Sequence, residues 1–137
     1  MLHVSCYKLH DNMKPETHNM KQHTYHEKLK KKMDEYVHAV YRMTRTFPKE
    51  EMYGVISQLR RAALSVILNY IEGYARHKEK VHKNFLEISY GSLKESKYLL
   101  HFSLVEKYLS EKDYREVLSL AEEIGAMLWG TIKNMEH

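Results

Sequence analysis

Residues 49–73, KEEMYGVISQLRRAALSVILNYIEG, constrain the fold more than any other stretch of the chain. Take them as one helix at about 100° per residue. Met52, Tyr53, Val55, Ile56, Leu59, Ala63, Leu64, Val66, Ile67, Leu68, Tyr70, Ile71 and Tyr74 then fill an arc of roughly 220°. An ordinary surface helix needs an apolar face of only about 100°. A helix this apolar must be covered on two sides, which predicts a helical bundle that also packs against copies of itself or a partner. The opposite face holds a polar row: Gln58, Arg61, Ser65, Asn69, Glu72 and Arg76.

The rest of the chain supplies three more helices to cover it. Leu29, Met33, Tyr36, Val40, Met43 and Phe47 alternate spacings of four and three, predicting a first helix over about 26–46. Phe47-Pro48 breaks that pattern. Thr46 is a plausible cap, and Glu50 and Glu51 place carboxylates in the first turn of helix two, which runs to about Tyr74 or Arg76 with Gly73 near its end. Helix three is expected over about 78–109. Phe85, Ile88, Ser92, Leu99 and Phe102 form one row on it, and Leu86, Tyr90, Leu93, Leu100 and Leu104 another; Ser89, Ser92, Ser96 and Ser103 are small enough to admit a close neighbour. Ser110 with Asp113 fits a capping box for helix four, whose seam is Tyr114, Val117, Ala121, Ile124, Leu128, Ile132 and Met135. Short connections force antiparallel neighbours. The expected fold is therefore an all-α, up-down-up-down four-helix bundle over residues 25–137. Residues 1–24 lack sustained helical periodicity and read as a flexible N-terminal arm.

Composition narrows the function classes. Apolar residues make up 43% and charged residues 29%, and no apolar run approaches the roughly 18 residues of a membrane span, so no membrane association is expected. The single cysteine, Cys6, excludes an intramolecular disulfide and any multi-cysteine metal site, and the default location is the cytoplasm. Net charge is +4 but unevenly placed. Residues 1–83 carry 16 Lys/Arg against 9 Asp/Glu, while residues 84–137 carry 6 against 9. The basic part can attract phosphate backbones. Lys28, Lys30, Lys31 and Lys32 crowd the start of helix one against its dipole, as a solvated end or a phosphate-facing patch. Arg76, Lys78, Lys80 and Lys83 make the turn before helix three the densest positive segment.

The chemistry of catalysis is not evident. There is no glycine-rich phosphate loop, no H-E-x-x-H, no G-x-S-x-G and no Cys/His pair in a catalytic setting, so no enzyme and no cofactor are expected. A di-iron bundle needs Glu-x-x-His motifs on facing helices. Glu35-Tyr36-Val37-His38 and Glu79-Lys80-Val81-His82 match the spacing, with Glu72 and Glu95 as conceivable companions, but nothing brings these together. The histidines at 3, 10, 18, 23 and 26 lack a tight ligand spacing. The polar row on helix two has three readings. It can be a solvated face. It can fix register, with Asn69 and Glu72 pairing with Ser92, Glu95 or a neighbouring subunit's arginine. Or Arg60, Arg61 and Arg76 can contact phosphate. Arg60 falls inside the apolar arc, so either its stem reaches out to solvent or it meets a carboxylate at an interface.

The run Tyr53-Gly54, Gln58-Leu59-Arg60-Arg61-Ala62-Ala63, Ser65, Asn69 and Glu72-Gly73, preceded by Phe47-Pro48 and followed by Phe85-Leu86, Gly91-Ser92-Leu93 and Glu95, resembles the 23S ribosomal RNA intervening-sequence proteins, also called S23 or four-helix bundle proteins. The resemblance covers about residue 29 to the C-terminus. Ile67 stands where the family usually has proline, so any kink in helix two should be weaker; Tyr70 and Ile71 are larger than usual. The resemblance implies antiparallel helices assembled as a homopentamer with a central channel, and no catalysis. The family is similar to the accessory variability protein of diversity-generating retroelements, a basic pentamer that binds nucleic acid and the element's reverse transcriptase. By that likeness Arg60, Arg61 and Arg76 would bind RNA or DNA, and a reverse transcriptase would be a second kind of partner.

Overall fold

The computed structural model describes residues 17–136. It contains four α-helices, α1 (Thr17–Thr44), α2 (Val55–Tyr74), α3 (Glu79–Val105) and α4 (Glu111–Asn134), with one 3-10 turn at Lys49–Glu51 and no strand among the described residues. Each helix packs on the next in sequence, and α1 closes against α4. Connections of four to ten residues reverse the chain each time, so neighbours are antiparallel. Residues 17–24 of the expected arm are helical, extending α1 nine residues before the sequence-based start; residues 1–16 lie outside the described part.

The four seams form one core. Leu29, Met33, Tyr36 and Val40 of α1, Ile56, Leu59, Ala63, Val66 and Tyr70 of α2, Leu86, Leu93 and Leu100 of α3 and Ala121, Ile124, Leu128 and Ile132 of α4 are buried together. On α3 the inward line is Leu86, Ser89, Leu93, Ser96, Leu100 and Ser103, leucine and serine in strict alternation. Its leucines come from the second expected row and its serines from the small residues, which corrects the first row: Ile88 and Phe102 lie at the surface. The serines bring neighbouring helices close and satisfy their own hydroxyls. Ser89 Oγ donates to the Val66 carbonyl at 2.6 Å, and Ser96 Oγ donates to the Leu93 carbonyl at 2.8 Å while lying 2.7 Å from the Tyr36 hydroxyl. Burial pushes the Tyr36 phenol up to about 12, so it stays protonated and donates to Ser96.

Two boundaries differ from expectation for physical reasons. Helix two does not start at Pro48. The chain makes one 3-10 turn and bends at Gly54, and the Glu51 carboxylate accepts the Val55 N–H at 3.2 Å, so Glu51 caps α2 from outside it. A Cβ at Gly54 would lie 2.8 Å from that carboxylate oxygen. Thr46 belongs to the end of α1, where its hydroxyl donates to the Met43 carbonyl. Helix three ends at Val105 rather than Leu109. Lys107 adopts a left-handed conformation (φ 64°), and the N–H groups of Lys107 and Tyr108 return to the carbonyls of Leu104 and Ser103, the C-terminal motif usually built on glycine. At α4, Ser110 accepts the Asp113 N–H as its spacing suggested.

Candidate nucleic-acid interface

Antiparallel packing puts Arg76, Lys78, Lys80 and Lys83 at the end of the fold where α2 turns into α3, while Lys28, Lys30, Lys31 and Lys32 lie well inside α1, which begins at Thr17. Lys28 and Lys31 are exposed on α1, and Lys78 and Lys80 on the turn. Their neighbours are engaged within the protein. Lys32 is bound to Glu123 of α4, whose carboxyl it holds below the usual range. Lys83 lies 3.4 Å from Glu136, and Arg76 pairs with Glu72 one turn back while its guanidinium sits 5.2 Å over the Phe85 ring. Lys30 is mostly buried, 3.9 Å from Glu27, and burial lowers its pKa.

Arg60 and Arg61 lie apart from this group, toward the other end. Arg61 is some 22 Å along α2 from Arg76 at about 1.5 Å per residue. Arg60 is half-buried on the wall of a surface hollow and pairs with no carboxylate among the described residues. Its Nε donates to Thr44 Oγ1 at 2.8 Å, and its guanidinium stacks over Tyr41 at 4.6 Å, tying the start of α2 to the end of α1. Arg61 is exposed. The ten candidate cations therefore do not make one surface.

The polar row divides as well. Ser65 Oγ is 2.7 Å from Ser92 Oγ, joining α2 to α3, and Asn69 Nδ2 donates to the Ser65 carbonyl and hydroxyl at 2.9 and 2.8 Å. Glu72 is taken by Arg76, and Gln58 and Glu95 are exposed. Facing this row is a hollow of about 570 Å³ beside Met52, Tyr53, Arg61, Leu64 and Leu68. The bundle thus covers most of the wide apolar arc but leaves part of it open: Tyr53 is 96% and Leu68 56% exposed.

A ring cluster beside the turn from α2 into α3 escaped sequence reasoning. His26 Nδ1 lies 2.7 Å from the Tyr70 hydroxyl and 2.8 Å from that of Tyr74, and His82 packs edge-on against Tyr74 at 4.2 Å between ring centres. Burial, reinforced by His82 and His23, lowers the His26 pKa to about 4. Burial also lowers that of His82, against the pull of Glu79. The usable signal was Tyr70 and Tyr74, one turn apart within an aliphatic face. The two Glu-x-x-His motifs lie in different halves of the fold, with His38 against Asp34 on α1. No group of three His, Cys, Asp or Glu able to hold a metal ion occurs among the described residues.

This arrangement can be compared with known proteins. The family model described as 23S rRNA-intervening sequence protein matches residues 26–130. The chain belongs to this family. The match opens at His26, so the ring cluster falls inside it. Among solved structures, a protein of unknown function from the S23 ribosomal protein family of Bacteroides thetaiotaomicron superposes with a TM-score of 0.74 at 20% identity, over 80% of this chain and 98% of that one. At that identity the likeness is one of fold. No curated protein matches the chain.

Proposed function

We propose that this family member is a non-enzymatic, oligomeric binder of nucleic acid, in the cytoplasm, that grips phosphates with exposed lysines. The observation that carries the reading is a set of exposed lysines, Lys28 and Lys31 on α1 and Lys78 and Lys80 at the turn from α2 into α3, with no carboxylate within ion-pair distance among the described residues. The family description, 23S rRNA-intervening sequence protein, names an RNA and is in keeping with it. The uncovered part of the α2 arc supports self-association. A homopentamer would raise a charge of +4 per chain to about +20 and turn weak contacts into avid ones.

Affinity for a structured RNA measured at 50 and 200 mM salt tests this. Binding weakens steeply with salt. Replacing Lys28, Lys31, Lys78 and Lys80 by alanine lowers the slope of log K against log salt by about 3 for each subunit that contacts the RNA, near 0.7–0.9 per lost phosphate contact. No binding at 50 mM salt rejects the proposal. The open apolar patch at Met52, Tyr53 and Leu68 favours a second reading, a scaffold that docks a protein such as a retroelement reverse transcriptase. There affinity would survive the lysine changes and fall on Leu68→Glu.

A further inference from the structure

The chain's one tryptophan is on the surface. Trp129 of α4 is 46% exposed and leans against Tyr90 of α3, ring centres 5.4 Å apart and planes inclined by 36°. Burying an indole is worth far more than leaving it in water, so an exposed one set beside a second ring is a candidate contact surface. Beside the pair runs a groove of about 230 Å³ between α3 and α4, which the small residues Gly125 and Ala126 keep open. A Cβ added at Gly91, next to Tyr90, would meet nothing within 4 Å.

Cations surround the rings. Lys94 Nζ stands 5.3 Å over the Tyr90 ring and Lys133 Nζ 5.8 Å over Trp129. Lys97 lies on the groove wall. Of the nearby carboxylates, Glu122 is paired with Lys97 at 3.2 Å and Glu136 with Lys133 and Lys83 at 3.5 and 3.4 Å, while Glu87 and Glu95 are exposed on α3. Down α3 the same face continues into Tyr98, 63% exposed, and His101. Tyr98 is two turns, about 12 Å, beyond Tyr90. Aromatic rings two turns apart with a lysine between them match what an unpaired strand offers: flat bases on a polyanionic backbone.

We propose that Trp129 and Tyr90 form a stacking platform for unpaired bases of single-stranded nucleic acid, continued by Tyr98, with Lys94 and Lys133 on the flanking phosphates. This rests on the nucleic-acid reading above and adds a site built from residues other than Lys28, Lys31, Lys78 and Lys80, with Lys133 sharing Glu136 with Lys83. The lysines over the rings do not block it. An exposed cation–π contact is weaker than base stacking, so a base displaces the ammonium, which swings to the phosphate beside it. Of the three lysines, Lys94 has no ion pair among the described residues and is the one a phosphate meets free; Lys97 and Lys133 share theirs with Glu122 and Glu136.

Trp129 is its own reporter. An unlabelled oligouridylate is titrated into the full chain at 50 mM salt while Trp129 emission is followed, with the structured RNA as a parallel ligand. The platform predicts quenching that saturates. It predicts a loss of about tenfold in oligouridylate affinity in both Trp129→Ala, read by competition, and Tyr98→Ala, an exposed change that leaves circular dichroism intact. Trp129→Phe should lose less. Unchanged Trp129 emission, or unchanged affinity in both alanine variants, overturns the platform. If the structured RNA still binds, the exposed-lysine reading survives. Failure of both ligands to bind overturns both. A drop in particle mass for Trp129→Ala by light scattering would make this face a contact between copies, which also overturns the platform.

Discussion

His26 carries an imidazole into a corner where two tyrosine hydroxyls and a second histidine already stand. His23 lies on its own helix, Tyr70 and Tyr74 face it from α2, and His82 and Glu79 from α3; α4 presents the uncharged Thr131 and Asn134 to the same hollow. Its charged form is disfavoured there, so its pKa falls from 6.5 to about 4. Between those values the unfolded chain binds a proton that the folded chain refuses. Stability is therefore complete above about pH 6.5 and is lost as pH falls toward 4, with His82 acting in the same sense. Solvent still reaches the site, so the effect is a fraction of the full shift, on the order of 1 kcal/mol. A melting curve taken every half pH unit should show a fall of roughly 3–5 °C across that window. In His26→Phe the fall should be shallower, though the variant melts lower overall. Equal slopes in the two proteins would show that His26 does not carry the dependence.

Helices α2 and α3 come close together where they turn into each other. Gly73 is buried there, and a Cβ on it would meet His82 Cδ2 at 3.1 Å, Phe85 Cβ at 3.2 Å and the His82 carbonyl at 3.3 Å. Two of these neighbours are backbone or Cβ atoms that cannot swing aside. Gly73→Ala gains roughly 0.5–1 kcal/mol of helix propensity and loses about 1–3 kcal/mol to overpacking, so it should destabilise by about 1 kcal/mol. Gly91→Ala, on the open face of α3, has only the first effect and should stabilise by roughly 0.5–1 kcal/mol. Urea denaturation of the two variants checks the opposite signs. The number of helices and the faces of α1, α2 and α4 were legible in the sequence because apolar spacing records burial directly. Ser110 was legible because its cap is local. The end of α3 was not, because Lys107 occupies a left-handed position without the glycine that would announce it. The start of α2 was not, because a proline suits a 3-10 turn as well as an α-helix and the cap comes from Glu51, a side chain outside the helix. The candidate cations were visible as a list of charges. Which of them are free for a ligand depends on Glu72, Glu123 and Glu136, and only the fold brings the last two within reach.

One bundle accounts for most of the apolar arc that constrains this chain. Val55, Ile56, Leu59, Ala62, Ala63, Val66 and Tyr70 are covered by the protein's own helices. What remains is Tyr53, Leu68 and Met52, gathered beside a hollow of about 570 Å³ on one side of α2. Solitary exposed apolar residues need no explanation, but a cluster on the one helix whose composition demands two covers does. We expect that cover to be another copy. Light scattering at micromolar concentration should then give a mass several times 16.4 kDa. Leu68→Glu and Tyr53→Glu, placed on residues that contribute little to the core of one subunit, should shift the mass toward that of a single chain with helicity retained. A monomeric wild-type protein would remove the pooling of charge. RNA affinity would then rest on a few lysines per chain, and its salt dependence would be the shallow one expected of four contacts.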